Sequence, residues 1–233
     1  AIEEGFYLVA ILSLLLIAVG PLGQVMLTTN LSGRLGSALI QYLPDTQLIL
    51  LIGAMVVSLI LGMGLPTPVA YIIVALALVP FMQQIGIPPL QAHFFVFYFA
   101  VFSTLTPPVA VSVLAAAKLA DASFLDTAKD SLKIAMTTFI IPFAFVFSPE
   151  LMSFPDMTWA VVPAILKVVF IQWSVSVASY GFTFRVLVGW ERMAFAGAAL
   201  LGFLGMALDL QYLYAGGVLF LLMTAYVWLT KTR

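Results

Sequence analysis

Two short segments carry the chemistry available to this chain. Gly62-Met63-Gly64-Leu65-Pro66-Thr67-Pro68 and Ser103-Thr104-Leu105-Thr106-Pro107-Pro108 each interrupt a long apolar run. A proline lacks the N–H that would bond the carbonyl of residue i−4. Pro66 and Pro68 therefore free the carbonyls of Gly62 and Gly64, and Pro107 and Pro108 free those of Ser103 and Thr104. In lipid an unpaired carbonyl costs on the order of several kcal/mol. A desolvated Na⁺ satisfies such oxygens, and the hydroxyls of Thr67, Ser103, Thr104 and Thr106 add further ligands. The cation set read from this pattern is Gly62, Gly64, Ser103, Thr104 and Thr106, with Na⁺ as the metal. Each break also restarts a helix: Thr67-Pro68 and Thr106-Pro107 fit an N-cap followed by proline at the first helical position. A restart turns a positive helix end into the membrane interior, where it holds an anion. Substrate contacts are thus expected at Pro66, Thr67, Thr106 and Pro107. A lone Gly/Pro kink is commonly structural, because neighbouring helices re-satisfy the backbone. Two such breaks, about 40 residues apart and both carrying Thr-Pro, match the paired broken helices of secondary transporters.

The elements that position these breaks are membrane helices. The 233 residues are 64% hydrophobic and 8% charged, against about 25% charged in soluble domains. So little charge cannot cover a water-facing surface, and the apolar runs are continuous rather than alternating as barrel strands require. The fold class expected is an all-α membrane protein, a polytopic helical bundle with a re-entrant helical hairpin and a discontinuous transmembrane helix. Residues 1–47 read as an N-terminal span (about 5–28) and an interfacial arm helix with Leu31, Leu35 and Leu39 at helical spacing. Residues 48–148 read as a transport core: hairpin 48–85, broken helix 92–118 and a following span at 134–148. The hairpin arms, about 15 residues or about 22 Å each, fall short of a bilayer core of about 30 Å. Residues 118–133 are a wet loop or surface helix. Residues 149–233 read as additional C-terminal transmembrane helices at about 158–184, 193–209 and 211–230.

Lys118, Lys129, Lys133, Arg185, Arg192, Lys231 and Arg233 fall in alternate wet segments, which places these in the cytoplasm and the hairpin's entry on the outer side. Arg34 breaks the rule. The net charge of −1 and the lack of a basic stripe exclude nucleic acid as a partner. There is no cysteine, hence no thiol nucleophile or Cys-based metal site, and His93 is the sole histidine. No HExxH motif or Ser/His/Asp set points to an enzyme or a cofactor. The start Ala1-Ile2-Glu3-Glu4 has no basic n-region and reads as the later part of a longer polypeptide.

Gly62-Met63-Gly64-Leu65-Pro66-Thr67, then Ile85-Gly86-Ile87-Pro88-Pro89, then Thr104-Leu105-Thr106-Pro107-Pro108-Val109-Ala110 resemble the second half of the large membrane subunit of TRAP transporters (tripartite ATP-independent periplasmic transporters) over about residues 5–150. The common family pattern has an acid soon after the hairpin glycine. Here Pro66-Thr67 occupies that region, as in the fused-permease branch, whose extra C-terminal spans would account for 158–230. The resemblance implies Na⁺-coupled import of organic anions (carboxylates) by an elevator movement across the bacterial or archaeal cytoplasmic membrane. It implies as partners a periplasmic substrate-binding protein and a small membrane subunit or domain. The family fold has two inverted repeats and this chain carries one, so the first is expected on another chain or segment.

Three further features have plain structural readings. His93, before a run of aromatic residues, is an interfacial residue rather than a proton relay. Lys167, about 14 Å into its helix, snorkels or forms a structural pair. Ala194, Ala198, Gly202 and Gly205 form a small-residue packing face. Two other functions remain open from the residues: an ion-coupled elevator carrier that needs no binding protein, and a non-transporting membrane scaffold subunit.

Overall fold

The computed structural model describes residues 6, 9–10, 13–14, 17, 21, 24–26, 28–44, 46–153 and 158–230. Among these, helices dominate, and an isolated bridge between Phe182 and Val186 is the extent of β pairing. The helices are α1 (Leu31–Tyr42), α2 (Gln47–Gly62), α3 (Thr67–Gln84), α4 (Pro89–Phe102), α5 (Val111–Leu119), α6 (Phe124–Met136), α7 (Ile140–Phe147), α8 (Val161–Tyr180), α9 (Gly189–Ala207) and α10 (Leu210–Leu229). Among the described residues, four segments are long and apolar enough to cross a membrane: α3, Phe124–Phe147, α8 and α10. The chain is thus an all-α, multi-pass membrane bundle. It divides into two compact units, 1–131 and 132–233. The span expected at about 5–28 lies largely outside the described residues.

The first unit is built on α2, α3 and α4. Ala70, Val74, Ala77, Leu78, Phe81 and Met82 repeat at i, i+4, i+7, i+8 on α3 and are buried throughout. Ala92, Phe95, Val96, Phe99 and Ala100 do the same on α4. The alanines let the backbones approach closely, which is what holds helices together where lipid offers no hydrophobic drive. Arm helix α1 docks on this layer: Gly36 faces the Phe81 ring, and Leu39 and Leu43 lie over Gly53. Between α3 and α4, Ile85-Gly86-Ile87-Pro88 forms a helix stop and restart. Gly86 has φ +85°, Ile87 N–H donates to the Met82 carbonyl (3.0 Å) and Gly86 N–H to that of Gln83 (3.0 Å). Pro89 then opens α4 where its missing donor costs nothing.

Helix α2 has 16 residues, near the expected arm length, whereas α3 has 18, runs through Pro80 and meets the length of a span. The span expected at 134–148 also begins earlier: α6 starts at Phe124, and Phe124–Phe147 runs 24 residues as a candidate span. Ser123 and Glu150 flank that span. With no native cysteine as background, single cysteines at these positions are expected to label from opposite membrane faces, Ser123 from the cytoplasm. Labelling of both from one face would overturn the orientation read from Lys and Arg.

The second unit packs α8, α9 and α10 through small residues. Gly202 lies on Phe170 and Ile171, Gly205 on Leu213, and Gly216 on the Ala198 carbonyl and Gly202 nitrogen. Phe195, Val177, Leu187, Met223 and Val227 fill its core. Arg185 and Arg192, counted above as wet cations, are tied into the fold. Arg185 binds buried Glu191 through both guanidinium nitrogens (2.9 and 2.6 Å) and donates to Thr230 (3.0 Å). Arg192 donates to the Ala178 and Ser179 carbonyls at the end of α8 (3.0 and 3.1 Å). Lys167 stands 3.9 Å from Glu150, a structural pair.

Candidate functional site

The two breaks meet in the first unit. A methyl group built on buried Gly62, at the end of α2, would stand 2.5 Å from Ser103 Oγ and 2.9 Å from Ser103 Cβ. Gly62 is where the hairpin tip rests on the second break, and only hydrogen in place of a side chain permits it. Gly64 is different: it is exposed, has φ +78°, and its missing Cβ would lie 3.2 Å from Val109 Cγ1. Its need for glycine is conformational. Gly62, rather than Gly64, is thus the tip's point of closest approach to the second break.

The backbone at both breaks is under-bonded. Met63 N–H reaches the Ile60 carbonyl at 3.4 Å, Leu65 N–H that of Gly62 at 3.3 Å, and Thr106 N–H that of Ser103 at 3.3 Å. These exceed the usual range of about 2.7–3.2 Å. Gly62 and Ser103 are therefore not freed outright, as the proline count implied; they hold long, weak bonds. The Gly64 and Thr104 carbonyls accept no backbone hydrogen bond among the described residues. The C-terminal ends of α2 and α4 thus converge with spare acceptor capacity and partial negative charge.

The hydroxyls donate inward along the chain. Ser103 Oγ donates to the Ala100 carbonyl (2.6 Å), Thr104 Oγ1 to that of Val101 (2.8 Å) and Thr106 Oγ1 to that of Phe102 (2.9 Å). A hydroxyl keeps acceptor lone pairs after donating. Thr104 spends one of them on Ser112 Oγ at 3.2 Å, a tie from the first turn of α5 that the sequence reading passed over.

Both predicted N-caps sit elsewhere. Helix α3 is capped at Pro66, whose carbonyl accepts Ala70 N–H at 2.9 Å; Thr67 is already helical and makes no side-chain cap bond. Thr106 closes the short 3-10 turn 103–105 in extended conformation (φ −95°, ψ 123°), as a residue before proline prefers. The Pro107–Pro108 bond is cis, and α5 begins at Val111, after Ala110 at φ 39°. The first turns leave the N–H groups of Thr67 and Val69 on α3, and of Val111, Ser112 and Val113 on α5, without intrahelical partners. Residues 46–117 contain no Asp, Glu, Lys or Arg, so this segment meets a ligand at the breaks with helix ends and neutral dipoles rather than formal charge.

His93 lies apart from the breaks in the register of α4 and is hydrogen-bonded through Nδ1 to Tyr71 Oη at 2.9 Å. No cluster of three or more His, Cys, Asp or Glu occurs among the described residues. A cation at the breaks would be held by neutral oxygens.

A family model described as "Tripartite ATP-independent periplasmic transporter, DctM component" matches residues 2–157, about two thirds of the chain and all of the region holding the breaks. Helices α8 to α10 lie beyond the match. Neither the curated proteins nor the solved structures gave a match.

Proposed function

We propose, from the premise that the chain belongs to the DctM component family of tripartite ATP-independent periplasmic transporters and is a transporter membrane component, that it imports an organic anion with Na⁺ as the coupling ion. The observation that carries the reading is the meeting of the two breaks, Gly62 on Ser103 and Gly64 on Val109, in a segment without formal charge. Each break offers both poles of a helix. The C-terminal ends of α2 and α4, with the carbonyls of Gly62, Gly64 and Ser103 and the hydroxyls of Thr104 and Thr106, suit a monovalent cation stripped of water. The N-terminal ends of α3 and α5, near Pro66-Thr67 and beyond Thr106-Pro107, suit a carboxylate, which no Lys or Arg of 46–117 is present to meet. Bound together, the cation and anion neutralise one another, which favours loading both before the core moves.

The substrate arrives, on this reading, from a periplasmic binding protein. A small membrane subunit or domain and a first inverted repeat complete the carrier in the cytoplasmic membrane of a bacterium or archaeon. These partners follow from the family's tripartite organisation.

Thr104→Val and Thr106→Val each remove a neutral oxygen ligand while keeping volume. In the complete transporter each is expected to raise the Na⁺ concentration for half-maximal uptake by roughly 5–30-fold, the equivalent of about 1–2 kcal/mol. Sodium titrations of uptake in proteoliposomes measure this. Unaltered Na⁺ dependence in both folded variants overturns the cation assignment. Uptake that needs no binding protein would instead identify an elevator carrier of another kind, and membrane insertion without any cation-dependent uptake would identify a scaffold.

A further inference from the structure

A groove of about 450 Å³ opens beside α8 in the second unit, well away in sequence from the two breaks. Along α8 its wall is Val169, Gln172, Trp173 and Ser176, one helical face at i, i+3, i+4, i+7. Its far end is closed by Thr137, from the turn before α7, and by Thr183 of the α8–α9 loop. This face belongs to a helix long and apolar enough to cross a membrane, and Val169, Trp173 and the nearby Phe182 are about half exposed. It therefore opens where lipid lies.

Polar groups on such a face are costly unless something pairs them. The Thr183 hydroxyl oxygen is buried and has no hydrogen-bond partner. The Gln172 amide and Ser176 hydroxyl form no hydrogen bond with the described residues, whereas Ser174, two residues away, bonds the Phe170 carbonyl in the usual way. Two side chains, Gln172 and Ser176, thus offer donors and acceptors into one groove between two aromatic rings, with Thr183 in its wall. No cation lines it: Lys133 is held over the Tyr180 ring, 5.3 Å from its centroid. The unmet chemistry is that of neutral oxygens such as ester carbonyls and glycerol hydroxyls.

We propose that this groove binds one membrane phospholipid by its glycerol and ester region, with the acyl chains leaving along Val169 and Trp173. The Gln172 amide donates to an ester carbonyl, Ser176 bonds a glycerol oxygen, and Trp173 and Phe182 flank the head of the chains. The aromatic flanks and neutral donors match the interfacial level of a bilayer.

The test is native mass spectrometry of the complete chain purified in maltoside detergent, with phosphatidylethanolamine or phosphatidylglycerol titrated back. The expected result is one phospholipid per chain surviving activation that strips the others, for either headgroup. Gln172→Leu, an apolar change on a lipid-facing helix that leaves the span stable, is expected to cut retention at least fivefold; Ser176→Ala is expected to do the same. Equal retention by wild type and both variants overturns the proposal. So does a retained mass that matches a polyol or detergent instead of the titrated phospholipid, because the occupant would then not be a phospholipid.

Discussion

Gly64→Val is expected to abolish uptake by the complete transporter while expression and monodispersity stay near wild type. Gly64 has φ +78°, a region that costs an L-residue about 1–2 kcal/mol and that a β-branched side chain tolerates least. The new Cβ would also press on Val109, one residue before the αL residue Ala110 that introduces α5. Gly64 is exposed, so the strain is relieved by moving the tip rather than by opening the core. That movement separates the two breaks and pulls apart the helix ends proposed to hold anion and cation. Gly62→Val is expected to act likewise and to cost more stability, because Gly62 is buried and its new side chain meets Ser103 directly. Ile73→Val, part-way along α3, is the control and should change little. Radiolabelled or fluorescent substrate uptake, paired with size-exclusion profiles, reads both effects. Normal transport by Gly64→Val would detach the tip from the site and remove the anion assignment with it.

The largest effect on stability is expected from Gly205→Ala. A methyl group at Gly205 runs into the backbone nitrogen and Cα of Leu213, where α9 turns back into α10. Backbone cannot rotate away as a side chain does, so the two helices must part. Overpacking of this kind costs about 1–3 kcal/mol and sometimes more. Gly217→Ala is the matched control with the opposite sign. Nothing lies within 4 Å of that site, and alanine in a helix interior gains about 0.5–1 kcal/mol over glycine. Thermal unfolding in detergent should therefore show a marked fall for Gly205→Ala and a small rise for Gly217→Ala. A fall of the same size in both would mean that the close α9–α10 approach is not what stabilises the unit.

The positions of the breaks were legible in the sequence because proline and glycine act locally. Leu65-Pro66 and Thr106-Pro107-Pro108 restrict their own backbone whatever surrounds them. What proline does alone was less legible. Pro80 sits within α3 without ending it, whereas Pro142 and Pro163 stand in the first turns of α7 and α8, where the missing donor costs nothing. The difference is the company each keeps: Gly62 and Gly64 before Pro66, and three hydroxyl residues before Pro107. The exact caps were not legible, because Thr67 fits the cap preference equally well one residue before or after the observed boundary. Nor was the tie from Ser112 to Thr104 visible, since it joins residues across the break in a way no helical period predicts. In the second unit the small-residue face was plain from its spacing, with Ala198, Gly202 and Gly205 all buried as expected. The pairing of Arg185 with Glu191 was missed, because counting cations by segment treats each as free in water.

The absence of formal charge from residues 46–117 has an electrical consequence. An elementary charge moved through the full membrane potential exchanges about 2.3 kcal/mol per 100 mV. In the proposed carrier this segment, which carries only helix dipoles, contributes nothing of that kind when it returns empty. Any charge it moves across the field would then be that of its cargo. Each Na⁺ in excess of the carboxylate charge would appear as inward current on the loaded stroke.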